Sequence, residues 1–191
     1  NQSGRAITTG DHNTAVGSCA LITLSTGSNN TAIGDRSLRN NTGGENTSVG
    51  AFSLEANVGG ECNTAVGRTS LCGNTTGGCN TAVGFQSLKA NTTASTNTAV
   101  GFEAMVSTTT GFGTAVGYGA MKANTTSSGN TAMGYQAMCS VTTGGNNTAF
   151  GLEALKSVVT GTNNVAVGRD ALELNTGSHN TAVGYLALGV N

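Results

Sequence analysis

The chain is built from one short segment that is repeated many times. A sequence close to Asn-Thr-Ala-Val-Gly occurs eleven times in the 191 residues, with starts 17 residues apart seven times and 16 apart three times. The copies start at Asn13, Asn30, Asn46, Asn63, Asn80, Asn97, Gly113, Asn130, Asn147, Asn164 and Asn180. Such a repeat predicts one structural unit per copy, packed on its neighbours. Residues 1–191 are therefore predicted to form a single repeat domain, interpreted as a segment of a longer fibre protein.

Each copy keeps the same residue types at fixed positions. The fifth residue is always glycine, and these glycines are predicted to form a bend in each copy: Gly17, Gly34, Gly50, Gly67, Gly84, Gly101, Gly117, Gly134, Gly151, Gly168 and Gly184. Three residues further lies Ala or Ser, followed by Leu or Met. A spacer rich in Thr and Asn then leads to a second glycine, usually three residues before the next copy. The one-residue length change is predicted between the Leu or Met and this second glycine, because turns tolerate deletions.

The period predicts an all-β fold. A unit of 16–17 residues is shorter than the roughly 33–45 residues of helical-hairpin repeats, and its β-branched, glycine-rich segment disfavours helix. We predict a parallel β-solenoid, or β-roll, of about eleven coils, with one strand at Thr-Ala-Val and a second around Ala-Leu. Alternation places Thr14 and Val16 on one face of the strand and Ala15 on the other. Coils stacked about 4.8 Å apart would form a rod about 50 Å long.

The interior of such a rod is narrow. We expect each coil to bury one large aliphatic residue from Thr-Ala-Val and one Leu or Met. So thin a core favours lateral association. The columns of small residues at Ala15 and Ala20 would permit close contact between chains, which predicts a homo-oligomer. The alternative is that these small side chains simply fit inside the coil.

Charge and residue usage exclude several functions. The net charge is −1 and the eight Lys and Arg residues are scattered, so no basic stripe predicts a nucleic-acid partner. No apolar run is long enough to predict membrane insertion. The two histidines, His12 and His179, lie in opposite end copies, and no carboxylate pair recurs at a distinctive position. We therefore predict no enzyme activity, no metal site and no cofactor.

The recurring Asn-Thr-Ala-Val-Gly-x-x-Ala-Leu resembles the head repeats of trimeric autotransporter adhesins. It is more similar still to repeats in phage and large-virus tail fibres and in surface fibres of predatory bacteria. The resemblance extends from about Asn13 to Leu188, although the adhesin unit is shorter. It implies a left-handed roll, a homotrimer of chains side by side, and an extracellular location on a cell surface or virion. It also implies attachment to a glycan or protein of the host surface.

Two groups of side chains are candidate sites. Cys62 and Cys79 hold the same position in adjacent copies, so stacking would place their Cα atoms about 4.8 Å apart, within the range of a disulfide. The alternative is two free thiols. The aromatic residues that follow the bend glycine in four consecutive copies are Phe85, Phe102, Tyr118 and Tyr135. Stacking would make them a ladder that either packs between chains or binds sugar rings, and packing is the favoured interpretation.

Two further columns of equivalent residues, one of asparagine and one of threonine, allow alternative interpretations. The asparagines that open the copies (Asn13, Asn30, Asn63, Asn80) are predicted to form an amide ladder or a turn. The threonines that follow them (Thr14, Thr31, Thr47, Thr64, Thr81, Thr98) would form an ice-binding plane if they face water together with the valines. If they face inward, they satisfy hydrogen bonds of the core. A self-assembling extracellular filament is a further alternative to the fibre segment.

Overall fold

The fold is a parallel β-solenoid, as the repeat predicts. The computed structural model describes residues 3–4, 9–23 and 26–189. Its strands are β1 (Thr14–Val16), β2 (Thr31–Ile33), β3 (Thr47–Val49), β4 (Thr64–Val66), β5 (Thr81–Val83), β6 (Thr98–Val100), β7 (Gly113–Val116), β8 (Asn130–Met133), β9 (Thr148–Phe150), β10 (Val165–Val167) and β11 (Thr181–Val183). They form one sheet in chain order. Within these described ranges no residue is helical.

Every strand lies directly on the next one. Each neighbouring pair is parallel, and Thr, Ala and Val of one copy face their equivalents in the next, as in the pairing of β4 with β5. The same register holds from β1 to β11, across both 16-residue and 17-residue coils. One repeat is therefore one full circuit of the backbone.

The strands alternate as expected, but the predicted core residue is wrong. The middle residue points inward, and Ala65 is fully buried, whereas Val16 is 56% exposed and Val183 is 70% exposed. A three-residue strand can direct only its middle side chain into the coil. The Ala15 and Ala20 columns thus line the interior. The alternative interpretation, that these small side chains fit inside a narrow coil, is confirmed. They offer no surface for contact between chains.

The predicted second strand around Ala-Leu is also wrong. This segment is a tight turn in which the second and fourth residues after the bend glycine have left-handed backbone, as in Gln86 (φ 57°) and Leu88 (φ 49°). Two left-handed residues within three consecutive positions turn the chain too sharply for a strand. The left-handed conformation costs a residue other than glycine about 1–2 kcal/mol. Complete burial of Leu88 offsets this cost, because it contributes roughly 1.5–3 kcal/mol.

The bend glycines lie where each strand ends and the turn begins. Their φ angles range from 123° at Gly184 to 145° at Gly134, a region that L-residues rarely adopt. Space is equally restrictive: a Cβ atom on Gly84 would lie 2.4 Å from the carbonyl oxygen of Gly101 in the next coil. Because that neighbour is backbone of a stacked coil, it has little room to move.

The deletion that shortens three coils is not always where we predicted. Asn30 Nδ2 donates to the carbonyl of Gly43 at 3.0 Å, and Asn164 Nδ2 donates to that of Gly177 at 2.9 Å. Both glycines lie three residues before the next copy, as predicted. In the coil from Asn97 to Gly113 the equivalent acceptor is Gly111, so the missing residue lies between Gly111 and Gly113. The prediction is wrong for this coil because its spacer keeps full length before the acceptor glycine.

Candidate functional site

The solenoid offers outer faces rather than a concave site. No pocket is detected in the described part of the chain, and its residues include no cluster of three His, Cys, Asp or Glu side chains placed to hold a metal ion. Among the same residues, no helix is both long and apolar enough to cross a bilayer. The candidate surfaces are therefore columns of equivalent residues along the stacked coils.

The four predicted aromatic residues form a continuous stack. Ring centroids lie 5.1 Å apart for Phe85 and Phe102, 5.2 Å for Phe102 and Tyr118, and 5.2 Å for Tyr118 and Tyr135. Neighbouring rings are inclined by only 6–23°, so the inner rings present faces to each other and edges to solvent. A sugar ring packs on an aromatic face, which these inner rings do not offer. This geometry favours packing against another apolar surface.

The aromatic column is exposed at its centre. Phe102, Tyr118 and Tyr135 are 41–47% exposed, and Tyr185 in the same column is 65% exposed. Tyr185 does not join the stack, and the guanidinium of Arg169 lies 5.6 Å from its ring centroid. We define the aromatic ladder as Phe85, Phe102, Tyr118 and Tyr135. It is an apolar strip on one edge of the solenoid.

The two cysteines of one column are neighbouring exposed thiols. Cys62 and Cys79 are both free in the structure, so the disulfide stays a prediction. Cys62 Sγ donates to Glu45 Oε2 at 3.2 Å. The hydrogen bond to the Glu45 carboxylate, with smaller contributions from desolvation and from Cys79, raises the pKa of Cys62 to about 11. Glu45 therefore holds this thiol in its protonated, less nucleophilic form.

Asparagine side chains form a ladder inside the coil, in agreement with the amide-ladder prediction. Asn63 shows the pattern: its Nδ2 and its backbone N–H both donate to Asn46 Oδ1, at 3.1 and 3.0 Å. The same Nδ2 reaches the carbonyl of Gly77 at 2.9 Å. Stacked amides thus satisfy polar groups that have no access to water.

A second amide ladder was not predicted from the sequence. It uses the spacer asparagines Asn41, Asn57, Asn74, Asn91 and Asn124, all fully buried. Each of the first four is one coil from the next, and Nδ2-to-Oδ1 distances between them are 2.6–2.8 Å. These residues recur eleven positions after the start of their copies. That spacing was a usable signal, but the spacer was interpreted as an exposed turn.

The strand face is the most uniform outer surface. Its two outward columns are mostly threonine and mostly valine, and both are half-buried or exposed from β1 to β11. None of the ten strand threonines makes a side-chain hydrogen bond within the described residues. We call these two columns the Thr–Val face.

The chain was compared with models of known protein families, with curated proteins and with solved structures. None of the three comparisons gives a match.

Proposed function

We propose that the chain is a segment of an extracellular fibre, on a cell surface or a virion, that acts as a rigid and adhesive shaft. The observation that carries this proposal is the unbroken register of eleven strands. Ten steps of about 4.8 Å give a rod about 48 Å long. A structure whose function is to hold two ends apart needs this regularity and needs no pocket.

The hydrogen-bond network supports a stiff rod. Backbone bonds join each coil to the next at several points around the circuit, for example Thr64 N to Asn80 O at 2.8 Å and Leu71 N to Ser87 O at 3.0 Å. The two amide ladders add contacts in the interior. Because these bonds run along the rod axis, bending would strain all of them together.

Lateral association is the second part of the proposal. The chain associates with copies of itself as a homotrimer, and the aromatic ladder packs against a neighbouring chain. Its exposed ring edges and its lack of available inner faces suit burial against an apolar surface. The thin core of each coil, one Leu or Met with two small residues, gives association a stabilising role.

The test is the mass and shape of the purified chain in solution. Light scattering should give about 56 kDa, three times 18.8 kDa, and electron microscopy should show rods about 50 Å long. Replacing Phe102 and Tyr118 with serine should lower the mass to that of a monomer while the rods persist. Tyr185→Ser, in the same column but outside the stack, is the matched control and should leave the mass unchanged. Compact particles without an elongated axis would contradict the shaft, and a wild-type monomer would contradict the trimer.

A further inference from the structure

The threonine hydroxyls of this chain differ in what they contact. Several spacer threonines donate to a carbonyl of the next coil, as in Thr42 Oγ1 to Val58 O at 2.7 Å and Thr75 Oγ1 to Thr92 O at 2.9 Å. Strand threonines such as Thr64 and Thr81 make no side-chain bond. The strand hydroxyls are therefore not needed to hold the coils together.

Seven consecutive strands make the free hydroxyls into a regular array. From β1 to β7 the first outward position is always Thr and the second is always Val or Ile, from Thr14 and Val16 to Thr114 and Val116. Strand pairing keeps both columns in register. The repeat is about 4.8 Å along the rod and about 7 Å across each strand. Branching at Cβ restricts χ1, so the hydroxyls and methyls are held in place.

The chemistry of this surface narrows what can bind it. The fourteen outward positions of β1–β7 carry no charged residue, so the surface has no means of attracting phosphates or a charged partner. It offers no cavity in the described chain, whereas small ligands bind in concave sites. It also lacks the aromatic, Met and Arg anchors of protein interfaces. In the two outward columns, a methionine and an aromatic residue appear only beyond β7, at Met133 and Phe150.

A regular, neutral array of hydroxyls and methyls matches one kind of occupant, which is ordered water. The methyl groups favour a cage of water around them, and the hydroxyls can join that cage by hydrogen bonds. The spacing along the rod is close to a repeat of the ice lattice. We propose that the Thr–Val face of β1–β7 binds the surface of ice. This inference does not depend on the fibre role, because one chain carries the whole array.

The test is ice growth in the presence of the purified chain. Wild-type protein should show thermal hysteresis and should inhibit recrystallisation. Thr64→Lys with Thr98→Lys places two charges in the array and should reduce activity at least tenfold. Thr76→Lys with Thr93→Lys adds the same charge at exposed spacer positions without side-chain bonds and should retain activity. Thr81→Ala, a smaller change that adds no charge, should fold and lose part of the activity.

Three results would overturn the proposal. The first is wild-type protein that leaves ice growth unchanged, and the second is activity that survives the lysine pair on the Thr–Val face. The third is a wild-type oligomer that this lysine pair converts to monomer, because a second copy of the chain would then cover the face. Rod shape in electron microscopy is independent of all three, so failure here leaves the fibre proposal standing.

Discussion

One buried atom interrupts the interior of the solenoid. Asn91 Oδ1 is buried and has no hydrogen-bond partner, because the next residue of its ladder is Thr108 instead of asparagine. Thr108 Oγ1 accepts a bond from Asn124 Nδ2 at 3.0 Å, so the ladder continues on the far side. A buried acceptor without a partner costs about 1–3 kcal/mol. Thr108→Asn is expected to restore the ladder at this step.

The magnitude follows from the neighbouring coils. In Asn74, Nδ2 donates to Asn57 Oδ1 at 2.7 Å and to Gly77 O at 2.9 Å. An asparagine at position 108 would donate in the same way to Asn91 Oδ1 and would accept from Asn124. Threonine and asparagine have similar volumes, so overpacking is small. We expect a stabilisation of about 1–2 kcal/mol, which raises Tm by about 2–8 °C in a chain of this size.

Thermal unfolding followed by far-ultraviolet circular dichroism measures this effect. Thr110→Asn is the control, because Thr110 is exposed and its side chain makes no bond; its Tm should not change. A second comparison removes asparagines instead of adding one. Asn91→Val should destabilise less than Asn74→Val, because Asn74 Oδ1 accepts a bond from Asn91 at 2.8 Å whereas Asn91 Oδ1 accepts none. Equal losses for the two, or no gain from Thr108→Asn, would refute the reasoning.

Two other changes test the bend and the thiol. Gly84→Ala should destabilise the fold by several kcal/mol or prevent folding, because its Cβ would lie 2.4 Å from backbone and its φ is 132°. Gly59→Ala is the control: a Cβ there has nothing within 4 Å, so its Tm should change little. Equal melting curves for the two variants would contradict this reasoning. Glu45→Gln should lower the pKa of Cys62 from about 11 toward the ordinary value of a cysteine thiol, because a neutral amide no longer favours the protonated thiol. Alkylation of Cys62 at pH 8, measured by mass spectrometry in a variant with Cys79 replaced by serine, should then accelerate by up to about a hundredfold. An unchanged rate would show that Glu45 does not control the reactivity of Cys62.

The repeat was sufficient to predict the circuit of the backbone, because an exact period leaves few ways of stacking. It was not sufficient to predict which side chains fill the coil. Hydrophobicity alone favoured Val16 for the interior, but the diameter of a 17-residue circuit admits only Ala15 at that point. Likewise, propensity gives no indication that Leu88 would adopt left-handed backbone. The stacking of neighbouring coils imposes that conformation.

For the candidate sites too, the period predicts the positions of the residues but not the orientation of their side chains. A ladder follows directly from the period, so the stack of Phe85 and Phe102 could be predicted, as could the common column of Cys62 and Cys79. Orientation and partners could not be predicted. The inclination of the rings, which excludes sugar stacking along the ladder, depends on side-chain torsions that only neighbouring atoms fix. The carboxylate of Glu45 reaches Cys62 only because the two coils place those residues one above the other.

The Thr–Val face shows how function can be separated from folding in such a repeat. Positions that point inward carry small residues, Asn, Thr, Val, Leu and Met, as space and hydrogen bonding allow, so their uniformity needs no functional explanation. Outer positions are free of both constraints, and the column after the bend glycine accordingly ranges from Asp35 to Tyr185. The two strand columns are also outward, yet one carries threonine in ten of eleven strands and the other never does. Strand propensity favours Thr and Val alike and would mix them in both columns. Since no side-chain hydrogen bond of the fold requires the hydroxyls, their confinement to one column points to something outside the chain that contacts them.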